Sequence, residues 1–77
     1  MVKSIKIGES AVGGIIRVST RPRGVFEVQC LDYQDKSVVV WRFCHGYDEL
    51  YSYLSEVTTH YYAEKFVSHF KQKLNND

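Results

Sequence analysis

The sequence has few cysteines, one proline and no long apolar run, and these shortages exclude several classes of protein. Its two cysteines, Cys30 and Cys44, are too few for the disulfide framework of a small secreted domain, so we expect reduced thiols. No apolar segment approaches the roughly 20 residues of a membrane helix, and the N-terminal "MVKSIKIGES" lacks the apolar stretch of a signal peptide. We therefore expect a cytoplasmic protein without membrane contact.

Signatures of catalysis and of metal or cofactor binding are also missing. The sequence contains no G-x-S-x-G, no phosphate-binding glycine loop and no C-x-x-C. Cys44 and His45 are adjacent, which is not a usual chelating spacing, while His60 and His69 fall on opposite sides of one predicted helix. We predict a protein that is not an enzyme and has no metal or cofactor.

Charge excludes a strongly basic nucleic-acid binder, because the formal net charge is only +1. The distribution is uneven, with seven Lys or Arg against four acids in residues 1–46 and three against five in residues 47–77. The arginines are concentrated in the first half of the chain.

Glycine and proline divide the first half of the chain into strands. Breaks at Gly13-Gly14, at Pro22 with Gly24, and at Asp35-Lys36 separate four predicted strands, at about 2–7, 14–20, 25–33 and 37–43. Because each break is short, an antiparallel meander is the simplest topology.

The apolar period changes after Gly46 to that of a helix. Apolar residues at three- and four-residue spacing predict helices at about 47–57 and 60–74, separated by Thr58-Thr59. The 77 residues are predicted to form a single α+β domain, 1–77, in which both helices pack on one face of a four-stranded antiparallel sheet.

Alternation along the strands predicts which side chains face the helices. Strands two and three alternate clearly, whereas "VVVWRF" in strand four is apolar on both sides. Our assignment turns Trp41 and Phe43 toward the helices together with Phe26. It leaves these residues on the open face, the face away from the helices: Arg17, Glu27, Gln29, Leu31, Val38, Val40 and Arg42, with Tyr33 at its end.

The segment "STRPRGVF" predicts a hairpin turn that carries two arginines. Pro22 presets the first turn position and Gly24 tolerates positive φ, so the turn explains both residues. Arg21 and Arg23 are not explained by the turn. They are solubilising residues, or they contact an acidic protein surface or phosphate.

The open face and the arginine turn together form the predicted partner-binding site. Base stacking requires aromatic rings, and the predicted open face is poor in them except for Tyr33, which favours a protein partner. A homodimer through Leu31, Val38 and Val40 is one form of that contact, and single-stranded nucleic acid is the alternative. The predicted binding residues are Arg17, Arg21, Arg23, Glu27, Tyr33, Val40 and Arg42.

The segments follow one another in a recognisable order: an "IK" first strand, a hairpin, "DKSVVVWRF", "YDELYSYL" opening the first helix, and a charged terminal helix. This order resembles that of the small phage-encoded anti-CRISPR inhibitors of type I systems. The resemblance implies a non-enzymatic protein that binds a subunit of an RNA-guided surveillance complex and blocks target DNA. In that family tyrosines and acidic side chains meet lysines of the partner, whereas the surface here carries Arg17, Arg21, Arg23 and Arg42 beside Glu27.

Overall fold

The computed structural model describes residues 1–75, which form a four-stranded antiparallel sheet followed by two helices. This confirms the predicted α+β fold. The elements are β1 (Val2–Lys6), β2 (Gly14–Arg21), β3 (Val25–Asp32), β4 (Val38–His45), α1 (Tyr47–Val57) and α2 (His60–Asn75), with short 3₁₀ turns at Gly8–Ser10 and Pro22–Gly24. All six observed elements lie within a few residues of the predicted ranges.

The strands form a meander in the order β1-β2-β3-β4, so β1 and β4 are the two edges of the sheet. Every neighbouring pair is antiparallel. The turn between β3 and β4 is organised by Asp32, whose Oδ1 accepts hydrogen bonds from the N–H groups of Gln34 at 2.9 Å and Asp35 at 3.1 Å. A side chain that bonds the backbone two or three residues ahead fixes a tight turn.

The core lies between one face of the sheet and both helices. Ile16 and Val18 of β2 alternate with exposed Arg17, and Phe26, Val28 and Cys30 of β3 lie on the same inner face. The helices contribute Leu50, Tyr53, Leu54, Ala63, Phe66, Val67 and Phe70. Burying each large apolar side chain contributes about 1.5–3 kcal/mol, so this single layer of contacts supplies most of the stabilisation.

Local interactions fix the ends of α1 and the start of α2. Asp48 and Glu49 stand in the first turn of α1, where the helix dipole favours negative charge. The N–H of Thr58 donates to the carbonyl of Leu54 at 2.9 Å and ends the helix. Thr59 then accepts the N–H of Tyr62 on its Oγ1 at 3.4 Å, as a residue that caps α2.

The predicted faces of β4 are wrong. Cys44 pairs with Phe26 and is fully buried in the core, so the period of two places Arg42 and Val40 on the helix side as well. The Arg42 guanidinium lies 4.5 Å from the ring centroid of Tyr53 in α1. Trp41 and Phe43 therefore point out from the open face, opposite to the prediction.

A register irregularity separates the two ends of β4. Cys30 pairs with Val40, whereas the next residue, Leu31, pairs with Val38, so Val39 is an extra residue. Val38 consequently lies on the open face beside Leu31, as predicted, although Val40 does not. Between residues 1 and 75, neither helix is long and apolar enough to cross a bilayer.

Candidate binding surface

The candidate site is the open face of the sheet, which the helices leave uncovered. Its residues are Val2, Ser4 and Lys6 of β1; Ile15, Arg17, Ser19 and Arg21 of β2; Val25, Glu27, Gln29 and Leu31 of β3; and Val38, Trp41, Phe43 and His45 of β4. Four of the predicted binding residues, Arg17, Arg21, Glu27 and Tyr33, lie on this face or next to it. Val40 and Arg42 do not.

Glu27 is the centre of a hydrogen-bonded chain across three strands. One carboxylate oxygen accepts a hydrogen bond from Trp41 Nε1 at 2.6 Å, and the other forms an ion pair with Arg21. The Glu27 side chain is only 9% exposed, against 51% for that of Arg21. Because a buried carboxylate requires partners, this chain explains how an acidic residue is held within a sheet face.

Trp41 and Phe43 form an aromatic pair on β4. Their ring centroids lie 5.7 Å apart with the planes inclined at 50°. Trp41 is 61% exposed and Phe43 is 46% exposed, which is high for the largest apolar side chains. The open face therefore has the rings that the sequence-based assignment placed inside the core.

Arg17 stands in the middle of the open face with a polar neighbour rather than an acidic one. Its Nη2 donates to Gln29 Oε1 on the neighbouring strand. Within residues 1–75, the structure contains one ion pair, between Arg21 and Glu27. The guanidinium of Arg17 therefore has no carboxylate partner there. It is available to an acidic group of a partner.

The arginine turn divides into one structural and one exposed arginine. Arg21 is the last residue of β2 and is tied to Glu27. Arg23 is exposed at the tip of the turn, with φ of 67° and ψ of 31°, in the left-handed region that a residue with a Cβ adopts at a cost. Of these two arginines, only Arg23 has no ion-pair partner within residues 1–75.

Tyr33 is exposed in the turn after β3, beside Gly14 at the start of β2. It helps to line an open depression of about 580 Å³ with Lys6, Ile7 and Gly13. Lys36 contacts this residue twice, through a hydrogen bond from Nζ to the Tyr33 carbonyl at 2.5 Å and by lying 5.3 Å from the ring centroid. Tyr33 thus marks the end of the open face.

Cys30 and Cys44 are buried in the core as free thiols. Burial raises the pKa of both, and at Cys44 the smaller effects of Arg42 and Glu49 oppose each other. In the part of the chain that the structure describes, no three His, Cys, Asp or Glu side chains come together as a metal site would require.

A second concave region, which the sequence did not indicate, lies between β1 and α2. This open groove of about 760 Å³ is lined by residues that include Lys3, Ile5, Tyr61, Tyr62 and His69. Partial burial lowers the pKa of His69, and Lys3 and Lys73 lower it further. The groove carries charges of both signs, because Glu64 lines it together with Lys3 and Lys65.

Comparison with protein-family models, with curated proteins and with solved structures found no match to this chain.

Proposed function

We propose that this protein is a non-enzymatic protein-binding module whose contact surface is the open face around Trp41. The observation that carries the proposal is that an indole ring 61% exposed to solvent is held in one position by a hydrogen bond to a buried carboxylate. Tryptophan is enriched among the residues that dominate binding energy at protein interfaces. A ring that is fixed before binding loses less conformational entropy when the partner arrives.

The charges around the ring favour a partner surface of mixed character. Arg21 is neutralised by Glu27, while Arg17 and the exposed Arg23 offer guanidinium groups to acidic side chains. A protein surface with an apolar pocket for Trp41 and carboxylates near its rim would complement this arrangement. Val40 and Arg42 are not part of the proposed surface, because they face the helices.

A specific form of this proposal is inhibition of a defence complex encoded by the host of a phage or mobile element. The resemblance to type I anti-CRISPR inhibitors implies a four-stranded sheet followed by two helices. Residues 1–75 have this order of elements, which supports the proposal. In this form the partner is a protein subunit of an RNA-guided surveillance complex. The arginines distinguish the surface from an acidic mimic of DNA, so the contact is expected to involve acidic partner residues.

Calorimetric titration of the purified chain into a reconstituted type I surveillance complex tests the inhibitory form. We expect Trp41→Ala to weaken binding by at least about 30-fold, the loss typical of a residue at the energetic centre of an interface. Arg42→Ala is the matched control from the opposite face and should bind within twofold of the wild type. Binding that survives Trp41→Ala would exclude the open face, and no binding to any such complex would exclude this form of the proposal.

The arginine turn is tested separately by Arg23→Glu. Arg23 has no ion-pair partner within residues 1–75, so reversing its charge changes the surface and not an internal contact. A loss of affinity assigns the turn to the interface. Arg21→Glu is less informative by itself, because it would also place two carboxylates together at Glu27.

Single-stranded nucleic acid is a second candidate, favoured by the aromatic pair on the open face. Bases stack on exposed rings such as Trp41 and Phe43, and Arg17 is available for phosphate. Since Trp41 is the only tryptophan, quenching of its fluorescence by an oligonucleotide reports directly on this face. True binding must weaken steeply with added salt. Unchanged fluorescence at low salt would exclude this candidate.

A further inference from the structure

The two edges of the sheet differ in how they are protected against pairing. β1 carries Lys3 and Lys6 within five residues, and lysines on an edge strand discourage the addition of another strand. β4 contains no lysine, and its only arginine is turned to the helix side over Tyr53. Arg42 and His45 are exposed on β4, and so are four large apolar side chains, Val38, Val39, Trp41 and Phe43.

Free backbone groups lie along the same edge. The N–H of Gly46 donates to the carbonyl of Gly24 at 3.0 Å, which places the even-numbered residues of β4 in the hydrogen-bonded ladder with β3. The odd-numbered residues consequently direct their N–H and C=O groups outward. His45 agrees with this pattern, because its N–H donates to Glu49 Oε2 on α1 at 3.2 Å.

Trp41 and Phe43 belong to the same outward-directed set as His45. No loop or helix backbone between residues 1 and 75 forms a hydrogen bond with them. The Glu49 carboxylate covers only the His45 end of the edge. The exposed aromatic side chains and the unpaired backbone groups are therefore on the same two residues.

We propose that two copies of this chain pair through β4, antiparallel and about a twofold axis, to form one eight-stranded sheet. A contact of this symmetry satisfies the free edge of both copies with the same residues. The remaining edges are the two β1 strands, which Lys3 and Lys6 protect, so assembly stops at the dimer. If β4 paired with a strand of a different protein and not with a second copy, the purified chain would be a monomer.

Two contacts select the register of this pairing. If Phe43 lay on the twofold axis, Trp41 would face His45, whose N–H already donates to Glu49. If Arg42 lay on the twofold axis it would face its own copy, and like charges directly opposite each other are unfavourable. If Trp41 lies on the axis, Phe43 faces Val39 of the second copy and Val40 faces Arg42, so aromatic and β-branched residues become neighbours. We therefore place Trp41 on the axis, where its N–H and C=O exchange hydrogen bonds with the second Trp41.

The dimer is independent of the proposed function, although it would double the binding surface. The helices lie on one face of each sheet, so pairing would join the two open faces into one surface with both Trp41–Phe43 pairs near its centre. Association is measured on the purified chain and partner binding on a mixture. Failure of one is therefore distinguishable from failure of the other.

Light scattering and sedimentation over a dilution series test the dimer. We expect twice the mass of the 9.0 kDa chain, falling to one copy on dilution. Phe43→Pro removes the exposed ring and an outward N–H but no hydrogen bond to β3, a change that edge strands tolerate, and Trp41→Lys adds the charge that β1 already has. Both variants should be monomeric with wild-type circular dichroism, while Ser4→Lys on the opposite edge remains dimeric.

Oxidative crosslinking tests the register. Trp41→Cys should give a covalent dimer on a non-reducing gel, because residues paired on the axis have Cα atoms about 5.5 Å apart, within disulfide reach. Arg42→Cys is the matched comparison and should crosslink poorly. A monomer at every concentration would overturn the proposal, as would a dimer that persists in both Phe43→Pro and Trp41→Lys. Preferential crosslinking of Arg42→Cys would overturn the register.

Discussion

Trp41 donates its indole N–H to Glu27 across the β3–β4 pair, at 2.6 Å, while the rest of the ring faces solvent. The same carboxylate binds Arg21 of β2, so one acidic side chain orients residues of two neighbouring strands. The open face is thus organised by polar contacts, whereas the opposite face is organised by apolar packing.

Removing the charge of Glu27 tests how much this chain of contacts stabilises the fold. We expect Glu27→Gln to lower the free energy of unfolding by about 1–2 kcal/mol, because hydrogen bonds to charged groups are stronger than neutral ones. The exposure of Arg21 keeps the loss at the lower end of that range. Urea unfolding measures it, with exposed Glu64→Gln as the control. Equal stability of the two variants would contradict a structural role for Glu27.

The corrected position of Arg42 leads to a prediction opposite to the sequence-based one. Arg42→Ala should lower the free energy of unfolding by about 0.5–1 kcal/mol through loss of the contact with the Tyr53 ring. Affinity for a partner of the open face should remain within twofold. Chemical denaturation and calorimetric titration provide the two measurements. If Arg42→Ala had normal stability but no longer bound the partner, Arg42 would belong to the binding interface.

The backbone conformation of Arg23 predicts a stabilising substitution. A residue with a Cβ at φ of 67° is disfavoured by about 1–2 kcal/mol, and glycine avoids this at a smaller entropic cost. Arg23→Gly should therefore raise the free energy of unfolding by about 0.5–1 kcal/mol in thermal or urea melts. Lys36 has a φ of 65°, so Lys36→Gly should also raise the free energy of unfolding. A decrease in both would show that these turns carry no strain.

The buried thiols are expected to be unreactive in the folded protein. Both Cys30 and Cys44 are fully buried with a raised pKa, so few thiolates are present near pH 8 and reagents have no access. Reaction with a chromogenic disulfide should be more than about 100-fold slower than in denaturant, because it requires opening of the core. Two thiols should then react after unfolding. Rapid reaction of either thiol in native buffer would contradict the packing of β3 and β4 against the helices.

His69 gives the chain a predictable response to acid. Its pKa lies below the ordinary value of 6.5 because of partial burial and then of Lys3 and Lys73. The folded state therefore binds fewer protons than the unfolded state, and stability falls as the pH drops through 6.5 toward the lowered pKa. Lys3→Gln should raise the pKa of His69 in an NMR titration and reduce this loss. An unchanged pKa would place Lys3 away from His69.

Most of the fold could be predicted from the sequence, because polar and apolar residues alternate through the middle of β2 and of β3. Burying Ile16 and Val28 against the helices requires Arg17 and Glu27 to lie on the opposite, open face. The faces of β4 could not be predicted in this way, since apolar residues occupy both sides. Cys44 carried the missing signal, because free cysteine is among the most buried residue types, and it lies two positions from Arg42.

The polar chain on the open face depends on register and not on composition. Arg21 lies opposite Val25, so Glu27 is its diagonal neighbour on the same face. That relationship follows only after the length of the Pro22–Gly24 turn is known. The pairing of Trp41 with Gln29 then brings the indole beside Glu27, which no local pattern in β4 indicates.

Side chains of β4 point alternately to the core and to the open face, so neighbouring residues are under selection for different properties. Cys44, Val40 and Arg42 contact the core and α1, whereas Trp41 and Phe43 between them face outward. Under the proposed function, substitutions at the inner positions change how much folded protein a cell accumulates, while those at the outer positions change what the protein recognises. Related sequences could therefore change the residues of β4 that face outward, and with them the partner, while the residues that face the core keep the fold.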